Sequence, residues 1–293
     1  MKIKEKIVNR IKKLCETRLN AKNLFHAINE FAISTLNYYV GVVEYLHEEF
    51  EELDKVVRRI LAEYKVTRRA SNTDRLYLTR VELGRGLQNI AERAEIILLN
   101  LAKTLDGNTK TRPIMDAERT MLSYLGMIYD LLQLKYNFGD DDLNGKTVKK
   151  AQKEKRMNAI NEKNLHKILF DNPDGHIDWK TSSLWLRKGN ISPQEEAIFC
   201  KLQDRNTEFS GSRQKCNMCR RETKTIDHLA TRCGAQLKFD YTYRQNSVVR
   251  CIHLHNVIKY GLRKSKRLKG FKVENVISNE RVKIKSGRSD SDR

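Results

Sequence analysis

The sequence is poor in residues that break a chain, with only 3 prolines and 14 glycines among 293 residues. Beside abundant Leu, Ile, Lys, Glu and Arg, that scarcity predicts long helices joined by few turns, and an all-α, mostly helical fold class. Apolar residues are also scarce at 39%, while charged residues reach 32%, so extended polar faces are expected. No apolar run can span a bilayer: the longest, Phe31 to Val43, is short and interrupted by Ser34, Thr35 and Asn37, and reads as a buried helix. The start, MKIKEKIVNRIKK, lacks the apolar block of a secretory signal, which predicts an intracellular protein, nuclear or cytoplasmic. In those compartments the 6 cysteines are expected as thiols or metal ligands rather than disulfides. Acidic residues are too few to balance 57 Lys and Arg, and the formal charge is +20. A compact body so charged repels itself unless a polyanion neutralises part of it, so nucleic acid is the expected partner and a membrane is not.

What is present is mostly helical periodicity. Ile3, Ile7, Ile11 and Leu14 form one stripe, and Leu24, Phe25, Ile28, Ala32 and Leu36 form a second behind a cap at Asn20. Phe50, Leu53, Val56, Val57, Ile60 and Leu61 mark a third helix; Ala91, Ala94, Ile97, Leu98, Leu101 and Leu105 mark a fourth. Between them Leu76, Leu78 and Val81 suggest a short extended segment before a turn at Gly84 and Gly86, where backbone can approach a neighbour closely. Pro113 opens a fifth helix carrying Met121, Leu122, Leu125, Ile128, Leu131 and Leu132. The organisation expected is a helical domain over 1–106, a helical and basic linker over 107–165, a zinc-knuckle domain with helices over 166–262, and a basic mobile tail over 263–293. Helices are expected around Trp179 to Leu186, from Gln194 to Arg205 behind Ser192 and Pro193, and before Gly261.

The most specific pattern is Cys216, Cys219, His228 and Cys233. Two cysteines separated by two residues fit one tight turn over a metal, and a His and a Cys from a following turn can close a tetrahedron. Soft thiolates with one imidazole favour zinc and exclude magnesium and calcium, so one structural Zn(2+) per chain is predicted. Four protein ligands leave no open position for a reacting water. Lys215, Arg220, Arg221 and Lys224 crowd the same module, and positive charge recurs at Lys149, Lys150, Lys153 and Lys155, at Arg85, and at Arg263, Lys264, Lys266 and Arg267. These residues are the candidates for phosphate contacts.

Other patterns carry less. Asp140, Asp141 and Asp142 follow Gly139, yet the residues after them, Leu143, Asn144, Gly145 and a lysine run, give no strand to make a polymerase hairpin. His253 and His255, two apart on a helix, face different sides and read as packing or surface residues. Cys15, Cys200 and Cys251 sit among apolar neighbours and read as small core residues. No phosphate loop or activated nucleophile is present.

The segments LNAKNLFHAINEFAISTLNYYVGVV, ELDKVVRRIL and TDRLYLTRVELGRGL, then WLRKGNISPQEEAIFCKLQDRNT, CNMCRRETKTIDHLATRC and YRQNSVVRCIHLHNVIKYGL, occur in this order. Together they resemble the C-terminal part of reverse transcriptases from non-LTR retrotransposons that carry a restriction-like endonuclease, such as the Dong-like elements. The first three resemble the helical thumb, and the last three the linker and zinc knuckle. The chain departs from that pattern at Gln245, where a histidine is usual after the arginine, and at Leu254, where a tryptophan is usual after the histidine. VENVISNERVKIK looks like the lead-in to the endonuclease, and the resemblance includes neither palm nor endonuclease catalytic residues. The resemblance implies a retroelement polyprotein origin, binding of RNA or DNA, association with other retroelement proteins, and no polymerase activity of its own, because reverse transcription needs palm aspartates holding two metal ions. Two alternatives stay open: a piece of an active reverse transcriptase completed by a palm encoded elsewhere, and a zinc-stabilised protein-interaction module using Trp179, Trp185, Tyr241 and Tyr243 as anchors.

Overall fold

The computed structural model describes residues 2–42, 47–68, 71–139, 143–171, 175, 178–205, 215–237, 241–265, 267–268 and 271–285. The chain forms two units, 1–208 and 209–293, and helices dominate as the composition predicts.

In unit 1 the four expected helices are α1 (Lys2–Cys15), α2 (Ala21–Ala27), α3 (His47–Glu63) and α5 (Ile90–Asp106), with the short α4 (Thr73–Tyr77) before the last. Asn20 caps α2, its side chain accepting from the Asn23 N–H at 2.9 Å. Ile7, Ile11, Leu24, Phe25, Val57, Leu61, Ile90 and Leu98 meet in one core, with Ile3, Leu14, Val56, Ile97, Leu101 and Leu105 of the periodic stripes packed half-buried against it. The Phe31 to Val43 stretch departs from the expected buried helix. A wide turn over Ile28–Ala32 passes into a tight 3-10 turn over Ile33–Tyr38, and the change of winding buries Ile33 and Leu36 while leaving Phe31 and Tyr38 exposed.

The segment around Leu76 to Val81 is helical rather than extended: α4 ends at Tyr77 and a 3-10 turn spans Arg80–Glu82. The close approach at the following glycines is to the chain itself. A Cβ on Gly84 would lie 2.0 Å from the Leu78 carbonyl oxygen. The single helix expected after Pro113 is two, α6 (Arg112–Thr120) and α7 (Ile128–Tyr136). Gly126 packs where a Cβ would come within 2.4 Å of the Glu118 carbonyl oxygen, so the chain doubles back there and Met121 and Leu122 are exposed.

The expected linker also differs. The helix α8 (Gly145–Asn161) turns Val148, Gln152, Arg156 and Ile160 inward at helical spacing, and α5 packs against α6, α7 and α8. Residues 166–205 join the same unit through α9 (Trp179–Ser182), α10 (Leu184–Lys188) and α11 (Pro193–Gln203), which cover a small core of Leu78, Leu83, Ile160, Phe170, Leu186 and Cys200. Trp179 and Trp185 pack against this core. The boundary therefore falls at 208/209 and not at 106 or 165.

In unit 2 the metal-ligand module leads through α12 (Gly234–Gln236) to α13 (Thr242–Lys259), and Gly261 at φ +71° ends that helix as expected. The tail from 263 contains structure. Phe271 is buried with Leu254 and Val257, and β1 (Val276–Ser278) pairs antiparallel with β2 (Lys283–Lys285), placing Ile277 opposite Ile284.

Candidate metal centre

The module begins with Lys215 bridged to Thr223, and the Cys216 N–H donates to the Glu222 carbonyl at 2.7 Å, closing a tight hairpin over Cys216 to Cys219. Arg220 adopts φ +55°, reversing the chain after the second cysteine. Thr225 Oγ1 then accepts from the His228 N–H at 3.0 Å, and the Cys233 N–H reaches back to the His228 carbonyl at 2.7 Å. These local bonds aim four side chains at one point. The Sγ atoms of Cys216, Cys219 and Cys233 and one ring nitrogen of His228 all lie within 4.8 Å of one another. Cys216 Sγ is 3.7 Å from Cys233 Sγ, and Cys219 Sγ is 3.3 Å from His228 Nε2. Two thiolates bound at about 2.3 Å on a tetrahedron stand about 3.8 Å apart, so the cluster has the dimensions of a four-coordinate metal site.

The electrostatics favour ligand character. Backbone N–H groups, Cys219's foremost, bring the Cys216 thiol down to about 6 against burial. The backbone N–H of Glu222 does the same for Cys219, in direction, while burial pushes Cys233 up. Glu222, which spacing alone did not single out, places Oε2 2.8 Å from His228 Nδ1. That contact fixes the tautomer with Nε2 free to ligate, the usual arrangement of a carboxylate behind a metal-bound imidazole. An acidic residue between the cysteine pair and the histidine is the only signal the sequence offered for it.

The basic candidates divide. Lys215, Arg220 and Arg221 are exposed on the hairpin and Lys224 is half-buried. On α8, Lys149, Lys150, Lys153 and Lys155 project outward; Lys153 pairs with Glu82, and Lys155 Nζ lies 5.8 Å from the Tyr136 ring centroid. Arg85 is a correction. It is buried, with Nε on Glu196 Oε1 at 2.9 Å and Nη1 on the Val66 carbonyl at 2.6 Å, so its charge is spent inside the fold and does not face a phosphate backbone. Arg263 stands over the Phe271 ring at 4.8 Å, and Lys264 and Arg267 are exposed. Lys266 and the aspartates 140–142 lie outside the described residues.

Among the remaining motifs, His253 is buried against Phe271 and His255 is exposed. Cys200 is buried and Cys15 half-buried, but Cys251 is exposed, because α13 turns His253, Leu254 and Val257 inward instead. Tyr241 and Tyr243 are exposed. Among the described residues no helix is long and apolar enough to cross a membrane. Comparison with protein-family models, with curated proteins and with solved structures finds no match.

Proposed function

We propose that this chain is a non-catalytic nucleic-acid-binding protein, with a structural zinc ion held by Cys216, Cys219, His228 and Cys233 and phosphate contacts from the basic residues around it and on α8. The observation that carries the reading is the hairpin itself: a four-ligand cluster whose turn presents Lys215, Arg220 and Arg221 to solvent. A site built this way orients cations at a fixed spacing and leaves no coordination position for a reacting water, so its work is holding rather than chemistry. Zinc is the ion that three thiolates and one imidazole prefer. The charge of +20 supplies the long-range attraction to a polyanion. The ordered segments that resemble non-LTR reverse transcriptases support an origin in a retroelement polyprotein, with the helices of unit 1 as the counterpart of the thumb.

The test is a salt titration of the zinc-loaded chain on duplex DNA and on single-stranded RNA. Affinity is expected to fall steeply and linearly in log–log form as salt rises, with little dependence on sequence. Affinity that stays flat from low to high salt would overturn the reading, and template-dependent primer extension by the chain alone would overturn its non-catalytic part.

A further inference from the structure

Unit 1 contains a cavity of about 220 Å³ lined, among the described residues, by five arginines, Arg58, Arg59, Arg68, Arg75 and Arg85, and by one acidic residue, Asp204. Three of these cations are committed to the fold: Arg58 to Asp54, Arg75 to Asp204 and Arg85 to Glu196. Asp204 is committed too, because its two oxygens accept from Arg75 Nη1 at 2.7 Å and from the Asn72 N–H at 3.2 Å. Among the described residues, both oxygens of the carboxylate on the cavity wall are thus engaged, while the wall has donors to spare. Arg68 Nε, Ser71 Oγ and Asn72 Nδ2 are buried, and none has a hydrogen-bond partner among the described residues.

Three unsatisfied polar groups within five residues of sequence, all lining one cavity, are a departure from the rule that buried polar groups are paired. Each can donate, so the missing partner is an acceptor. For Asn72 the assignment of donor and acceptor ends is set by geometry: its Oδ1 accepts the Asp74 N–H at 3.1 Å as the cap of α4, which leaves the amide nitrogen toward the remaining space.

We propose that this cavity binds the dianion of a phosphate monoester, carried either by a free nucleoside monophosphate or by the 5′ end of a nucleic-acid strand. A tetrahedral group with three terminal oxygens can accept from a guanidinium, a hydroxyl and an amide at once, where a carboxylate has two oxygens in one plane. Arginine matches phosphate with a planar fork and keeps its charge at any working pH. A volume of about 220 Å³ admits a phosphate and its sugar but not a base-paired duplex. The site lies entirely within residues 58–204, apart from the metal cluster, and it stands even if the chain binds no nucleic-acid polymer.

The test is calorimetric titration of the full chain with inorganic phosphate, adenosine 5′-monophosphate and adenosine at fixed ionic strength. One saturable site for phosphate and the monophosphate, and none for adenosine, is expected. Asn72→Asp keeps the cap acceptor while replacing the donor by a carboxylate, and Arg68→Gln removes the charge; each is expected to weaken monophosphate binding by about tenfold or more. Ser71→Ala, which deletes a single hydroxyl, carries the same test if either variant melts early by circular dichroism. Tighter binding of a 5′-phosphorylated than of a 5′-hydroxyl oligonucleotide assigns the site to strand ends, and equal binding with monophosphate binding intact assigns it to the free nucleotide. No saturable phosphate or monophosphate binding, binding unchanged in all three variants, or equal competition by acetate would overturn the proposal.

Discussion

Arg75 Nη1 donates to Asp204 Oδ1 at 2.7 Å, and both side chains are 1% exposed although 129 residues separate them. The same guanidinium reaches the Leu83 carbonyl at 2.8 Å, the Cys200 carbonyl at 3.0 Å and Gln203 Oε1 at 2.5 Å. Each of its three nitrogens is directed at an acceptor, which is the condition for a buried cation to be tolerated. The pair fastens the end of α11 to α4 within unit 1.

Asp204→Ala leaves the Arg75 charge buried without its counter-ion. Loss of about 3–5 kcal/mol of unit 1 stability is expected in urea unfolding, with the double variant Arg75→Met, Asp204→Leu closer to the parent than Asp204→Ala alone. A cost below about 1 kcal/mol for Asp204→Ala would mean that the guanidinium finds water instead.

Purified protein is expected to hold one zinc per chain by metal analysis. Chelation should release the order of residues near 210–260, because metal binding in a small module is also folding energy. Cys219→Ser should abolish stoichiometric binding while unit 1 keeps its melting transition. Protein free of zinc when purified without chelator contradicts this.

Glu222→Ala removes the carboxylate behind His228 and touches no ligand directly. Competition with a chromogenic chelator should read a weakening of zinc affinity by about 10–100-fold. Rescue by Glu222→Asp is expected to be partial, since the shorter side chain falls back from Nδ1. An unchanged affinity would leave the 2.8 Å contact without a role in orienting the imidazole.

Neutralising Lys149, Lys150 and Lys155 on α8 together with Arg263, Lys264 and Arg267 should lower duplex affinity and reduce the salt slope by about 0.9 for each lost phosphate contact. Lys153 should matter less than its neighbours, because Glu82 already holds it. Arg85→Gln should lower the melting temperature and leave the slope unchanged, since that guanidinium is buried on Glu196. A slope that stays the same after both clusters are removed would place the binding surface elsewhere.

Asp54 accepts from the Ile90 N–H at 3.2 Å and from Arg58 and Tyr77, and burial raises its carboxyl above the ordinary range against those partners. A folded pKa above the unfolded one means that the folded state holds the proton more tightly. The stability from that term is complete below the unfolded pKa of about 3.9 and is lost as pH rises through the folded value. The stability gap between the parent and Asp54→Asn, about 1–3 kcal/mol from the lost acceptor, should therefore narrow from about pH 4 toward neutrality. A gap that widens over that range would reverse the sign of the shift.

The helices of unit 1 were legible because an apolar residue every three or four positions has one way to be buried, and Ile7 with Ile11 or Ala94 with Leu98 sit where that rule puts them. The candidate metal ligands were legible because a tight turn fixes the spacing of Cys216 and Cys219 regardless of the rest of the fold. The break after Thr120 was not, since Leu122, Leu125 and Ile128 continue the helical spacing across it. The chain leaves the helix through Leu122 at φ +51° and turns tightly enough for Gly126 to lie against the Glu118 backbone.

By itself the sequence determined the helical class, the excess of positive charge and the four residues that can share a metal, all of which follow from composition and short spacing. Only the tertiary structure decided which charges are available. Arg85 and Lys149 look alike in a basic sequence, but Glu196, 111 residues away, pairs with the first, which is buried, while the second stays exposed. The same holds for Glu222, for the linker that became α8 and for the tail that pairs β1 with β2. For Arg85 the deciding partner comes from far along the chain, brought close by packing, which leaves no mark in local spacing; Glu222 and the β1–β2 pair are local, but spacing alone does not say that their side chains meet.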